Sequence, residues 1–143
     1  MEPRILTPWL ELDMVIRLIV SVIAGGLIGY ERERMDKPAG LRTHMLVSTG
    51  SCLFTILSMY AFGSGSDPGR VAANIVVGIG FLGAGTVVHA RGKVSGLTTA
   101  ASIWAVSAIG MAIGTGLYII GIVSTVLVFI VLQLFIKLEN LGK

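Results

Sequence analysis

Charged residues are scarce in this chain. They make up 13% of it, roughly half the share of an ordinary soluble domain, against 54% hydrophobic residues. None occurs from Ala72 to Val88 or from Val94 to Ile136, and the second run is too long for one buried helix and has room for two membrane crossings. The single cysteine, Cys52, lies inside an apolar stretch, which excludes an intramolecular disulfide and a cysteine-rich metal site. The first residues, MEPRILTPWLELD, have neither the basic start nor the small-residue cleavage site of a removable signal peptide, so none is expected. The apolar segments do not alternate with polar residues, which argues against a β-barrel.

What is present is a succession of apolar runs. Measured against the roughly 20 residues a bilayer crossing needs, they predict five helices at about 14–30, 44–62, 71–88, 97–113 and 117–136, forming one transmembrane domain over 1–143. The fourth and fifth meet at Gly114-Thr115-Gly116, which predicts a tight helical hairpin, and the fifth is bulky throughout and suits a lipid-facing position. The basic pI of about 9.4 is explained by lysines and arginines in short loops, not by nucleic acid. Arg32, Arg34, Lys37, Arg42, Arg91, Lys93, Lys137 and Lys143 fall on one side and Arg4, Arg17 and Arg70 on the other, which predicts an external N-terminus and a cytoplasmic C-terminus. Trp9, Tyr60 and Tyr118 fall near the outer boundary, as interfacial aromatics do. The fold class expected is an all-α integral membrane protein.

Gly78 to Gly83 spells G-x-G-x-x-G, the shape of a dinucleotide loop. That loop needs a preceding strand and an acid about 20 residues on, yet the next acid after Asp67 is Glu139. The glycines are better read as close-packing surfaces in a membrane helix. In the third helix Ala73, Gly80 and Ala84 share one face and Asn74, Gly78 and Gly85 another, which predicts neighbours on two sides; helices one and four carry similar small-residue stripes, and packing of this kind extends to a homodimer.

Polar residues stand out against this background. In SDPGRVAAN, Asp67 and Pro68 read as a helix N-cap and first-turn proline, with Arg70 and Asn74 on one face; the cap does not explain Asn74, whose amide needs a partner at membrane depth. Arg17 either pairs with Asp13 or snorkels, or reaches Asp67 on another helix. Ser48, Ser51, Cys52, Thr55 and Ser58 form a polar stripe on helix two, whose hydroxyls either bond their own backbone or line a path. At the cytoplasmic edge Glu31 and Glu33 interleave with Arg32 and Arg34, which suggests an ion-paired collar or a partner-binding surface. His44 and His89 lie at the same boundary without a metal-ligand set or a nucleophile motif, so no catalytic residue, cofactor or metal is predicted and no enzyme is expected.

The blocks GGLIGYERE (25–33), AGLRTH (39–44), DPGRVAANIVVGIGFLGAGTV (67–87) and GLTTAASIWAVSAIG (96–110) resemble the MgtC/SapB family of bacterial and archaeal membrane proteins. The resemblance implies a multi-pass protein of the cytoplasmic membrane linked to growth in low Mg²⁺, in a family with virulence factors. It implies a regulator of membrane energy or ion homeostasis, with the proton-translocating ATP synthase as a partner, more than a pump. Carried over by position, the family pattern points to Glu31, Arg32, Arg42, Asp67, Arg70, Asn74 and Thr98. Two features depart from it: Ser95 stands where many members have a base, and the cytoplasmic domain that often follows helix five is not expected here. The alternative function is a small ion transporter or channel subunit, using the polar residues of helices two and three.

Overall fold

In the computed structural model the described residues are 7–62, 67–90 and 93–141, with the side chains of 89, 90, 93 and 135–141 left aside. They form five α-helices: α1 Pro8–Arg34, α2 Leu41–Tyr60, α3 Pro68–Ala84, α4 Leu97–Gly114 and α5 Tyr118–Leu141. Between α3 and α4 lies a two-stranded antiparallel hairpin, β1 Val88–Ala90 and β2 Lys93–Ser95, with Val88 opposite Ser95. Two helices, Pro8–Arg34 and Leu97–Gly114, are each long and apolar enough to cross a membrane.

Helix ends depart from the apolar runs because backbone hydrogen bonding ignores side-chain polarity. α1 starts early, at Pro8 in its first turn, where a proline lacks only an N–H that would have no helical partner. It runs on through ERER, four good helix formers, to Arg34. α2 begins at Leu41 because Glu33 reaches across from α1 and accepts the Leu41 backbone N–H at 2.8 Å. α3 begins as read, with Asp67 Oδ1 accepting the Gly69 N–H at 2.8 Å and Pro68 following. It ends at Ala84, short of Val88, where the chain enters the hairpin that the apolar run concealed. Gly96 joins hairpin to α4 at φ +90, where a Cβ would also fall on the Thr86 carbonyl.

α1, α2 and α4 pack against one another as the centre of the bundle; α3 lies on α4 and α2, and α5 on α4 and α1. The centre closes because glycines put helix backbones in contact. A Cβ at Gly29 would lie 2.8 Å from Leu41 Cα, one at Gly25 2.5 Å from the His44 carbonyl oxygen, and one at Gly114 2.7 Å from that of Cys52. At Gly110 a Cβ would land on the Ser48 carbonyl. Fully buried Ile28, Val106 and Ile113 and nearly buried Ile103 fill the space between.

Within one copy the third helix has neighbours on one side, where the sequence predicts two. Gly83 packs on Ala100, but Gly78 and Gly80 have nothing within 4 Å of where a Cβ would stand. Only one face of α3, Ile75, Ile79 and Gly83, is buried.

Candidate functional site: two buried ionic clusters

The helix-two stripe turns inward. Ser48, Ser51, Cys52, Thr55 and Ser58 are all buried in the bundle. Ser51 and Ser107 share a hydrogen bond of 2.9 Å, while Thr55 donates to the Ser51 carbonyl and Ser58 to that of Pro68. Ser48 is fully buried, and its Oγ has no partner among the described residues. The stripe is capped at each end by an ionic cluster.

At one end Arg17 of α1 pairs with Asp13 one turn earlier, and its Nη1 donates to the Gly114 carbonyl at 2.8 Å. That carbonyl ends α4, where the helix dipole favours a cation. Tyr118 of α5 donates its hydroxyl to Asp13 Oδ1 at 2.6 Å, and the Tyr60 ring of α2 lies 5.8 Å from the guanidinium. Four helices thus meet on one buried arginine. Of the two partners left open for Arg17, Asp13 is the one found, and Asp67 sits apart as an exposed cap.

At the other end Glu31 and Arg32 are 4% and 1% exposed and form a two-point pair: Nε to Oε2 at 2.5 Å and Nη2 to Oε1 at 2.8 Å. A fork of this kind satisfies both charges where water does not reach them. Beside them lies His44, wholly buried in the first turn of α2. Its Nδ1 is 2.9 Å from the Gly40 carbonyl oxygen, which can only accept, so Nδ1 carries a proton. Its Nε2 lies 3.0 Å from Ser102 Oγ on α4, whose one hydroxyl proton also has the Thr99 carbonyl as an acceptor at 2.8 Å.

The seven residues singled out from sequence are not one site. Glu31 and Arg32 are brought together. Arg42, Asp67, Arg70, Asn74 and Thr98 are exposed, and among the described residues Arg42 and Arg70 have no ion pair and Asn74 no hydrogen bond. The expected collar is divided: Glu31 holds Arg32, Glu33 caps α2, and Arg34 lies over the Tyr30 ring. Asn74, Gly78 and Ser51 line an apolar cavity of about 520 Å³ between α2 and α3, together with Phe54 and Leu82. His44 lies four residues before Ser48 and so extends the stripe by a turn, a spacing visible in the sequence. Among the described residues no group of three or more His, Cys, Asp or Glu could hold a metal. Arg4, Arg91 and Lys143 lie outside the described residues, as do the side chains of His89, Lys93 and Lys137.

An exterior rich in exposed Leu, Ile, Val and Phe around an interior of serines, threonines and paired charges is the distribution of a helical membrane protein. The MgtC family model matches residues 18–141, and the chain belongs to that family. It is 47% identical to YhiD of Escherichia coli, provisionally named a magnesium transporter, over 88% of this chain and 62% of that protein. It is 41% identical to MgtC of Salmonella typhimurium over 80% of this chain and 48% of that one, and 37% identical to SrpB of Synechococcus elongatus over 94% and 80%. The chain thus spans about half to four-fifths of these relatives. No solved structure matches it.

Proposed function

We propose that this chain is a multi-pass protein of the bacterial or archaeal cytoplasmic membrane, with five spanning helices, an external N-terminus and a cytoplasmic C-terminus. It acts in Mg²⁺-linked ion or membrane-energy homeostasis as a non-catalytic regulator of a membrane partner, of which the proton-translocating ATP synthase is the candidate the family resemblance supplies. Arg34, Lys37 and Arg42 gather at the Glu31–His44 end, which supports that end as cytoplasmic.

The observation that carries a regulator over a conduit is the closed centre. Gly29, Gly25, Gly110 and Gly114 bring α1 and α4 onto the α2 backbone along most of its length, and the hydroxyls of Ser51, Thr55 and Ser102 are bonded within the bundle. Exposed Arg42 and Thr98 are then available to a partner, whereas buried Arg32 is structural.

The transporter reading is supported by YhiD's name and by the cavity between α2 and α3, where Asn74 and Ser51 supply oxygens. Flux decides between them. Purified protein in liposomes containing a Mg²⁺-sensitive dye is expected to leave Mg²⁺ entry at the protein-free rate, and a photocrosslinker at Arg42 in cells to capture a membrane protein. Protein-dependent entry abolished by Asn74→Ala in a folded bundle would overturn the regulator.

A further inference from the structure

α3 carries on its outer side an exposed pattern, with Asn74 at its edge beside the mouth of the α2–α3 cavity. Asp67, Arg70, Asn74, Val77, Phe81 and Ala84 recur in alternating steps of three and four, and all six are exposed. Val77 is 74% and Phe81 80% exposed, while the opposite side of the helix is turned into the bundle. Such a stripe is the surface along which a second helix can wind, with Val77, Phe81 and Ala84 as its apolar part. Any helix face has that period, but a face turned only to lipid has no use for the polar residues within it.

We propose that this seam is a contact between two copies of the chain, with α3 packed in parallel on α3 about a two-fold axis normal to the membrane. The inference rests on α3 being a membrane helix, as proposed above. A two-fold axis sets Asn74 opposite Asn74 of the second copy at one depth, and a carboxamide both donates and accepts, so each amide completes the other. Asn74 lies about 9 Å beyond the start of α3, by the rise per residue, where an acyl chain supplies neither donor nor acceptor. The same axis gathers Asp67 and Arg70 of both copies at the wetter helix end, where each Arg70 lies one layer, three residues, from the Asp67 of the other copy and its opposite charge. Gly78, open beside the seam, lets the two backbones close. A single asparagine in such a seam also sets its register. An acyl chain answers none of these features, and an unrelated helix would have to repeat them at matching depth.

The test uses the full chain in its own membrane. Val77→Cys lies in the seam, whereas Val76→Cys, also exposed, is turned about 100° away along the helix. Buried Cys52 in the unsubstituted chain is the blank. Mild oxidation is expected to convert Val77→Cys to a species of twice 15.1 kDa on a non-reducing gel, with Val76→Cys left largely monomeric. Adding Asn74→Leu to Val77→Cys is expected to weaken self-association about 3- to 30-fold, the range for an interhelical hydrogen bond in a bilayer. Equal crosslinking at both positions, a product of another mass, or a membrane-retained chain with no product would each overturn the seam. A chain released from membranes by carbonate would overturn the membrane reading itself.

Discussion

Replacing Gly110 by alanine tests whether the bundle is held by backbone contact. The added methyl would meet Ser48 of α2, with the carbonyl carbon 2.9 Å and Cα 3.0 Å away and the carbonyl oxygen closer still. None of these atoms belongs to a flexible side chain, so α2 and α4 must part. Overpacking of a core typically costs about 1–3 kcal/mol, and a rigid backbone neighbour places this site toward the upper end. Alanine's better helix propensity returns roughly 1 kcal/mol, leaving a net loss of about 1–2 kcal/mol. Gly80→Ala is the control: it has the same propensity gain with nothing within 4 Å of the new methyl. Unfolding of purified protein by sodium dodecyl sulfate, followed by circular dichroism, should show Gly110→Ala melting at lower detergent fraction than wild type and Gly80→Ala at the same or a higher one. Equal midpoints for the two variants would refute backbone contact as the basis of the core.

Three further outcomes follow from the clusters and turns. Glu31→Ala leaves Arg32 buried without a counter-charge and should destabilise by about 3–5 kcal/mol, read as loss of folded protein in the same detergent titration; the double variant Glu31→Gln with Arg32→Gln should recover much of that loss. Gly96→Ala forces a side chain into the left-handed region and onto the Thr86 carbonyl, so it should cost more than the ~1–2 kcal/mol of the conformation alone, measured as a lower thermal midpoint. Cys52 is wholly buried and should resist maleimide in the folded protein and react once sodium dodecyl sulfate opens the bundle.

The helices were legible because the signals that define them are local: an apolar run, an Asp-Pro start, a Gly-Thr-Gly turn. The inward stripe on α2 was legible for the same reason, as period alone puts Ser48, Ser51, Thr55 and Ser58 on one side. The hairpin was not, since its strands are three residues each and follow an apolar run without interruption. Partners are legible only within a turn, as Asp13 is for Arg17. Arg17 had two acids in prospect, and the choice of Asp13 depends on Tyr118 and the end of α4 arriving from about a hundred residues away. Glycines looked alike in sequence, yet Gly110 sits on a neighbouring backbone while Gly80 faces open space, because a missing side chain records nothing about what approaches it.

Where backbones touch without side chains between them, sliding is obstructed: to shift α4 along α2, Gly110 would have to leave the Ser48 carbonyl and a bulkier residue take its place. The contacts at Gly25, Gly29, Gly110 and Gly114 therefore lock the register of the central trio. α3 and α5 stand outside that lock, each joined to α4 through a glycine in the left-handed region, Gly96 at φ +90 and Gly116 at φ +87.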